Sequence, residues 1–592
     1  MQNWVKILII TFIVVIYQGC SPFESSFDDS SNSFSQLNLK CSSDDKRNPK
    51  PQTIKRLSKL ELHHTLIDLF EPYVTSDISN FITIVSEAID IFPKNDVVES
   101  GAMDLADSGV SVNHLEEILN LSDRISNYFV TDNNGRALFG DCMMITTPAE
   151  SCVRDFISSF GSRIFRKKMT EEDVDFYYQT FITNESGLKN LLSSLLSSPL
   201  FFYHIEIGEK DIVSDDINSQ TISLTAYERI NKLSYLFLQS MPDEELFKVA
   251  ESGDIMRPEI VRAQVNRLLE SPKVRQRLTR YFANQWLHLD EELEIRDNIA
   301  SVNSEVGQLS VNETSENRIN NMTNEVYDYF DYIIWEQKAR YVDLMTSDLV
   351  FPKTADLAEI YGTNVWNGGY QLEDLVRAPA NERSGLFTRA HFLFTGGPST
   401  RPIMRGVEVY RNFLCGSLSL PADNSNPDGV VITDDMTDME QVRAATEVPG
   451  TSCIGCHQSI INPIASTFQN YDAFGRFQFK ERIYQPNTSD LMGQILIEKP
   501  VNSQSTIQIG QLFDANVQDA VDFSKKMATS AHARACFTSK VWNFAMKENL
   551  KFGSNPCAIQ SMYERLTQSD GSIIEVFRNI VNQPEFFKRT IQ

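Results

Sequence analysis

Cys453-Ile454-Gly455-Cys456-His457 constrains this chain more than any other stretch. C-x-x-C-H is the covalent attachment signature of a c-type haem. Two thiols add across the haem vinyl groups, and the adjacent imidazole becomes the proximal iron ligand. Two other chemistries use C-x-x-C. Half of a zinc site would need a second C-x-x-C or an H-x3-5-H partner, and the sequence has neither. A thioredoxin-like redox pair would follow a strand in a βαβ pattern, and no such pattern precedes Cys453.

The N-terminus reads as a targeting segment. Lys6 supplies a positive n-region, and Ile7 to Ile16 is an apolar run too short to span a bilayer. It ends in Tyr17-Gln18-Gly19-Cys20, with Gly before Cys as a lipoprotein site requires and Tyr17 where Leu is usual. Residues 1–19 are expected to be a cleaved signal, with Cys20 the lipidated first residue; an ordinary secretory signal is the alternative. Either way the chain is exported, lipid-anchored to a bacterial membrane in the first case, and faces the periplasm or the cell surface.

Nine cysteines, less Cys20 and the two haem thiols, leave Cys41, Cys142, Cys152, Cys415, Cys536 and Cys557. An even remainder in an oxidising compartment predicts disulfides. Six cysteines allow fifteen connectivities. Local spacing favours Cys142–Cys152 and Cys536–Cys557, which leaves Cys41–Cys415 by elimination. The formal net charge of −25 excludes a phosphate-backbone binder, which needs clustered Lys and Arg. No nucleic-acid partner is therefore expected.

Helical periodicity dominates and no strand alternation does, so the fold class is mainly α: helical modules in series with a C-terminal cytochrome c-like haem module. Residues 20–53 are Ser, Asp and Asn-rich and read as a flexible tether. Helical modules follow at 54–130, 131–210 (with Cys142 and Cys152) and 220–350. The haem module covers 383–482, and a last helical module covers 515–590. Thr170 followed by Glu171-Glu172-Asp173, and Ser240 to Glu244, mark helix starts. So do Arg257-Pro258 and Ser271-Pro272. The polar stretch 303–318 reads as a surface loop.

Several stretches together resemble one family. Arg56 to Glu61, Phe165 to Thr170 and Ser197 to Phe201 are similar to its early modules. Leu233 to Leu236, Met241 to Leu246 and Gln285-Trp286-Leu287 are similar to its central module. Arg383 to Leu386 and Thr400 to Gly406 resemble the module before the haem. Cys453 to His457, Ile461 to Ile464 and Asn470 to Arg476 resemble the haem module, and Cys536-Phe537 the closing one. The chain thus looks like an exported planctomycete-type, cytochrome c-related multidomain protein, whose modules are largely labelled as domains of unknown function. The resemblance covers nearly everything after residue 54. It implies a helical, haem-binding, periplasmic or surface protein and names no substrate. Ala465 to Phe468 departs from the family's usual Gly-Phe.

The expected cofactor is one covalent haem c held by Cys453 and Cys456, with His457 Nε2 on the iron. Pro463 stands where c-type cytochromes often place a proline whose carbonyl holds the Nδ1–H of the ligand; simply ending the turn is the other reading. Met492 is the distal-ligand candidate. Met527 and Met546 follow it, and Met404 and His391 are outside choices. His63-His64 reads as a surface pair. Arg476 and Arg405 suit haem propionates or ordinary salt bridges. Met ligation would make the protein an electron carrier working with a redox partner protein. An open distal site would make it a haem oxidoreductase acting on peroxide or a polymer. A third class is a binding or scaffold lipoprotein with structural haem.

Overall fold

The computed structural model describes residues 41, 55–75, 77–93, 109–131, 134–182, 187–210, 221–289, 315–395, 400–418, 430–484, 495–548 and 552–590. Cys20 and Met492 lie outside them, as does the proposed signal. Most of the described residues are helical, with short two- and three-stranded sheets between helices. None of the described helices is long and apolar enough to cross a membrane.

The chain divides into two compact units. One comprises residues 43–98, 104–278 and 580–592. Its helices begin where the local chemistry says they should. Ser58 and Glu61 form a capping box that starts Lys59–Phe70, and Thr225 and Glu228 do the same for Ala226–Phe237. Thr170 Oγ1 accepts from the Asp173 N–H at 3.1 Å at the head of Glu171–Ile182. Phe70, Phe81, Phe129 and Phe160 meet in its core. The end of the chain returns to this unit: Lys588–Thr590 pairs antiparallel with Thr221–Ser223, whose other edge takes Glu209–Lys210.

Within this unit Arg166 opens a basic run and is 2% exposed. It ends Glu150–Phe165 in the left-handed conformation, with φ 54°. Its guanidinium donates to the carbonyls of Leu200, Phe201 and Tyr203 and to the Tyr235 hydroxyl. His63 and His64 are half-buried rather than superficial. His63 Nε2 lies 3.0 Å from Ser86 Oγ, and burial pushes the His64 imidazole down to about 3.

The second unit is formed by residues 279–579, with 1–42 and 99–103. Cys41, expected in a flexible tether, is tied to it by a disulfide to Cys557. Arg318, expected in a surface loop, belongs to the helix Ser315–Asp331 and makes a buried double contact with Asp356 at 2.8 and 3.0 Å. Ile319, Met322, Tyr361, Ala390 and Phe394 share one core cluster with Ala473 and Phe474. The segment after C-x-x-C-H is therefore built into a core that begins more than a hundred residues earlier. The helix Ala531–Met546 is buried all round, the pattern of a central helix. Its Phe537 packs on Trp286, which also meets Phe413.

The six cysteines are all paired, as Cys41–Cys557, Cys142–Cys152 and Cys415–Cys536. The short-range pair is the expected one. The expected Cys536–Cys557 and Cys41–Cys415 pairs are replaced. Sequence proximity misleads because Cys536 lies inside a buried helix whose neighbour is the end of Pro402–Asn412; its Sγ is 3.7 Å from the Asn412 carbonyl.

Candidate haem-attachment site

The motif folds as three consecutive turns. Cys453–Cys456 is one α-turn, His457–Ile461 is a π-turn, and Asn462–Ser466 returns to α. In the first turn, residues i, i+3 and i+4 share a face, so Cys453, Cys456 and His457 project together. Cys456 is buried; Cys453 and His457 are half-buried.

The neighbours approach closely. A Cβ at Gly406, on the helix Pro402–Asn412, would lie 2.6 Å from the Ile461 carbonyl oxygen. Only glycine lets the two backbones meet there. Tyr410, on the same helix, is buried beside Cys456; burial first, and the neighbouring Cys456 sulfur second, raise its hydroxyl above the ordinary value.

His457 Nδ1 is 3.4 Å from Asn462 Oδ1. Asn462 is 1% exposed. Its Nδ2 donates to Thr446 Oγ1 at 3.0 Å and to Glu447 Oε1 at 2.9 Å. Burial holds the His457 imidazole below its ordinary value, while Asn462 and Glu447 pull it back up. Pro463 does not take the place expected of it. Its carbonyl accepts from Ser505 Oγ at 2.7 Å. Proline has no N–H to give to the preceding turn, and the widened π-turn is closed by Asn462, the residue before it.

The other expected residues separate. Met527 and Met546 are core residues of their helices, His391 is buried, and Met404 is exposed. Arg476 Nε contacts Asp472 Oδ2 at 2.6 Å. Arg405 is buried, donates to the carbonyls of Leu393, Phe468, Tyr471 and Asp472, and so holds the turn after the motif rather than a propionate. Arg383 adds the Gly475 carbonyl at 2.8 Å. No spacing rule assigns Asn462, Thr446 or Glu447 a role; Asn462 is marked in the sequence by the family-like stretch Ile461 to Ile464 and by its place beside Pro463.

The donor set fits haem c. Among the described residues, Cys453 and Cys456 are the cysteines outside disulfides. The imidazole has Nδ1 beside an amide oxygen, which leaves Nε2 available to coordinate. No group of three or more His, Cys, Asp or Glu among the described residues is placed to hold a metal ion, so the zinc alternative gains no further ligands.

Three family models match in series. Residues 152–206 match PSD5, a protein of unknown function (DUF1595), and residues 224–363 match PSD4, a protein of unknown function (DUF1592). Residues 383–481 match PSCyt3, a protein of unknown function (DUF1588), and this range contains Cys453 to His457, Asn462 and Arg476. No curated protein and no solved structure matches the chain. The chain thus carries, in series, matches to three domain families of unknown function, and C-x-x-C-H lies inside the PSCyt3 match.

Proposed function

We propose that this chain binds one haem c covalently through Cys453 and Cys456, takes His457 Nε2 as the proximal iron ligand, and passes electrons to or from a redox partner protein outside the cytoplasm. The observation that carries the reading is the joint state of the three motif residues. Among the described residues, two cysteines stay out of the disulfides, and one imidazole has Nδ1 beside an amide oxygen. A bound haem supplies one-electron exchange at its iron. The chain's own residues orient the proximal ring and bury one attachment point, while Gly406 and Tyr410 close the helix behind it. The disulfides support assembly in an oxidising compartment, and a lipid at Cys20 would tether the protein there.

The test is expression in a host with cytochrome c maturation machinery. Wild type should gain the mass of one haem, resistant to denaturation, and a reduced c-type α-band. Cys453→Ala with Cys456→Ala should lose it. Wild type purified from such a host without covalent haem would sink the reading.

A further inference from the structure

We propose that Asn462, braced by Thr446 and Glu447, is the positioning residue of His457, and that it fixes the imidazole as the Nδ1–H tautomer. The inference rests on the haem reading for its purpose but on the described geometry for its content.

The amide has one orientation available to it. Glu447 is a carboxylate and can only accept, so the Asn462 atom 2.9 Å from Oε1 is the NH2 group. The second amide proton goes to Thr446 Oγ1 at 3.0 Å. The amide oxygen is therefore the atom that faces His457. An oxygen opposite Nδ1 requires a proton on Nδ1, and Nε2 is then the lone pair.

The backbone explains why Asn462 can reach. In a regular α-helix residue i+5 lies about 140° round the axis from residue i. Here the Asn462 N–H donates to the His457 carbonyl, closing an i to i+5 turn. That π-turn brings residue 462 over residue 457, as π-bulges at functional sites often realign side chains. Pro463 follows directly and cannot supply the N–H that a regular helix would need from it. The proline thus acts through the register of the turn.

The brace carries charge. Glu447 caps the C-terminal end of Asp438–Thr446, where a helix disfavours a carboxylate. Its partners there are Asn462 and, at 4.0 Å, Arg443. A carboxylate behind the amide polarises it toward the imidazole, which raises ligand basicity.

Two measurements test this. The full chain, purified without haem and labelled with 15N at histidine, should show His457 as Nδ1–H, assigned by loss of its signals in His457→Ala. Asn462→Leu should lose that preference. In haem-loaded protein, Glu447→Gln keeps an acceptor for the Asn462 amide and should raise the midpoint potential. An Nε2–H wild type, an unchanged tautomer in Asn462→Leu, or a potential indifferent to Glu447→Gln would each overturn the proposal. Failure of wild type to take up haem would overturn the functional reading and leave the tautomer result standing.

Discussion

Glu481 shows how much one buried side chain can set. It lies on the strand Lys480–Tyr484 and accepts the Asp438 N–H at 2.7 Å. Burial first, then Asp438 and Glu440, raise its carboxyl from the ordinary 4.5 to about 7, against the pull of that N–H and Lys499. The folded state therefore holds a proton that the unfolded chain releases. Stability from this group is full below about 4.5 and is lost as pH rises through about 7. Glu481→Gln should be more stable than wild type by roughly 2 kcal/mol at pH 8 and nearly equal at pH 4, in urea titrations at the two pH values. Arg405 is the complementary case, a buried cation serving carbonyls. Arg405→Met leaves those oxygens without a donor and should cost on the order of 3 kcal/mol or more. Arg405→Lys should not rescue it, because one ammonium cannot reach the same fan of acceptors. Matched denaturation curves for the two variants check this.

At the scale of the element, Asp438–Thr446 links two places. Its head is held by the Thr437–Glu440 capping box and by Thr400, whose hydroxyl donates to Asp438 at 2.7 Å. Its tail presents Thr446 and Glu447 to Asn462. Thr437→Ala removes the cap and should cost about 1 kcal/mol. If this helix is what sets the Asn462 amide, the same variant should also shift the 15N signals of His457. An effect on stability alone would separate the cap from the site.

For the whole molecule the disulfides are the sharpest test. Cys415–Cys536 closes a separation of 121 residues and Cys142–Cys152 one of 10. The chain-entropy argument gives about 5 kcal/mol for the first and about 3 kcal/mol for the second. Replacing both cysteines of the long pair by Ser should lower the thermal transition more than doing so for the short one. A non-reduced peptide map should join Cys41 with Cys557 and Cys415 with Cys536. A Cys536–Cys557 peptide would contradict the fold.

Much of the helical order was legible in the sequence, because it is dictated locally. Thr170, Asp243 and Pro258 start helices by chemistry confined to one turn. C-x-x-C-H was legible for the same reason, its three groups being fixed by one turn of helix. What the sequence could not decide involves partners far apart in the chain. Cys41 meets Cys557, and Arg405 meets carbonyls more than sixty residues on. Arg166 and Arg383, both in family-like stretches, are buried brackets of distant backbone. Only packing shows which cations exchange water for carbonyl oxygens. The same holds at the motif. The sequence by itself determined C-x-x-C-H and offered the Pro463 carbonyl as the support of His457 Nδ1, with a plain end to the turn as the other reading. Tertiary structure moved that support to Asn462, because a π-turn changes which side chain lies over His457 and a neighbouring helix end fixes which way its amide points.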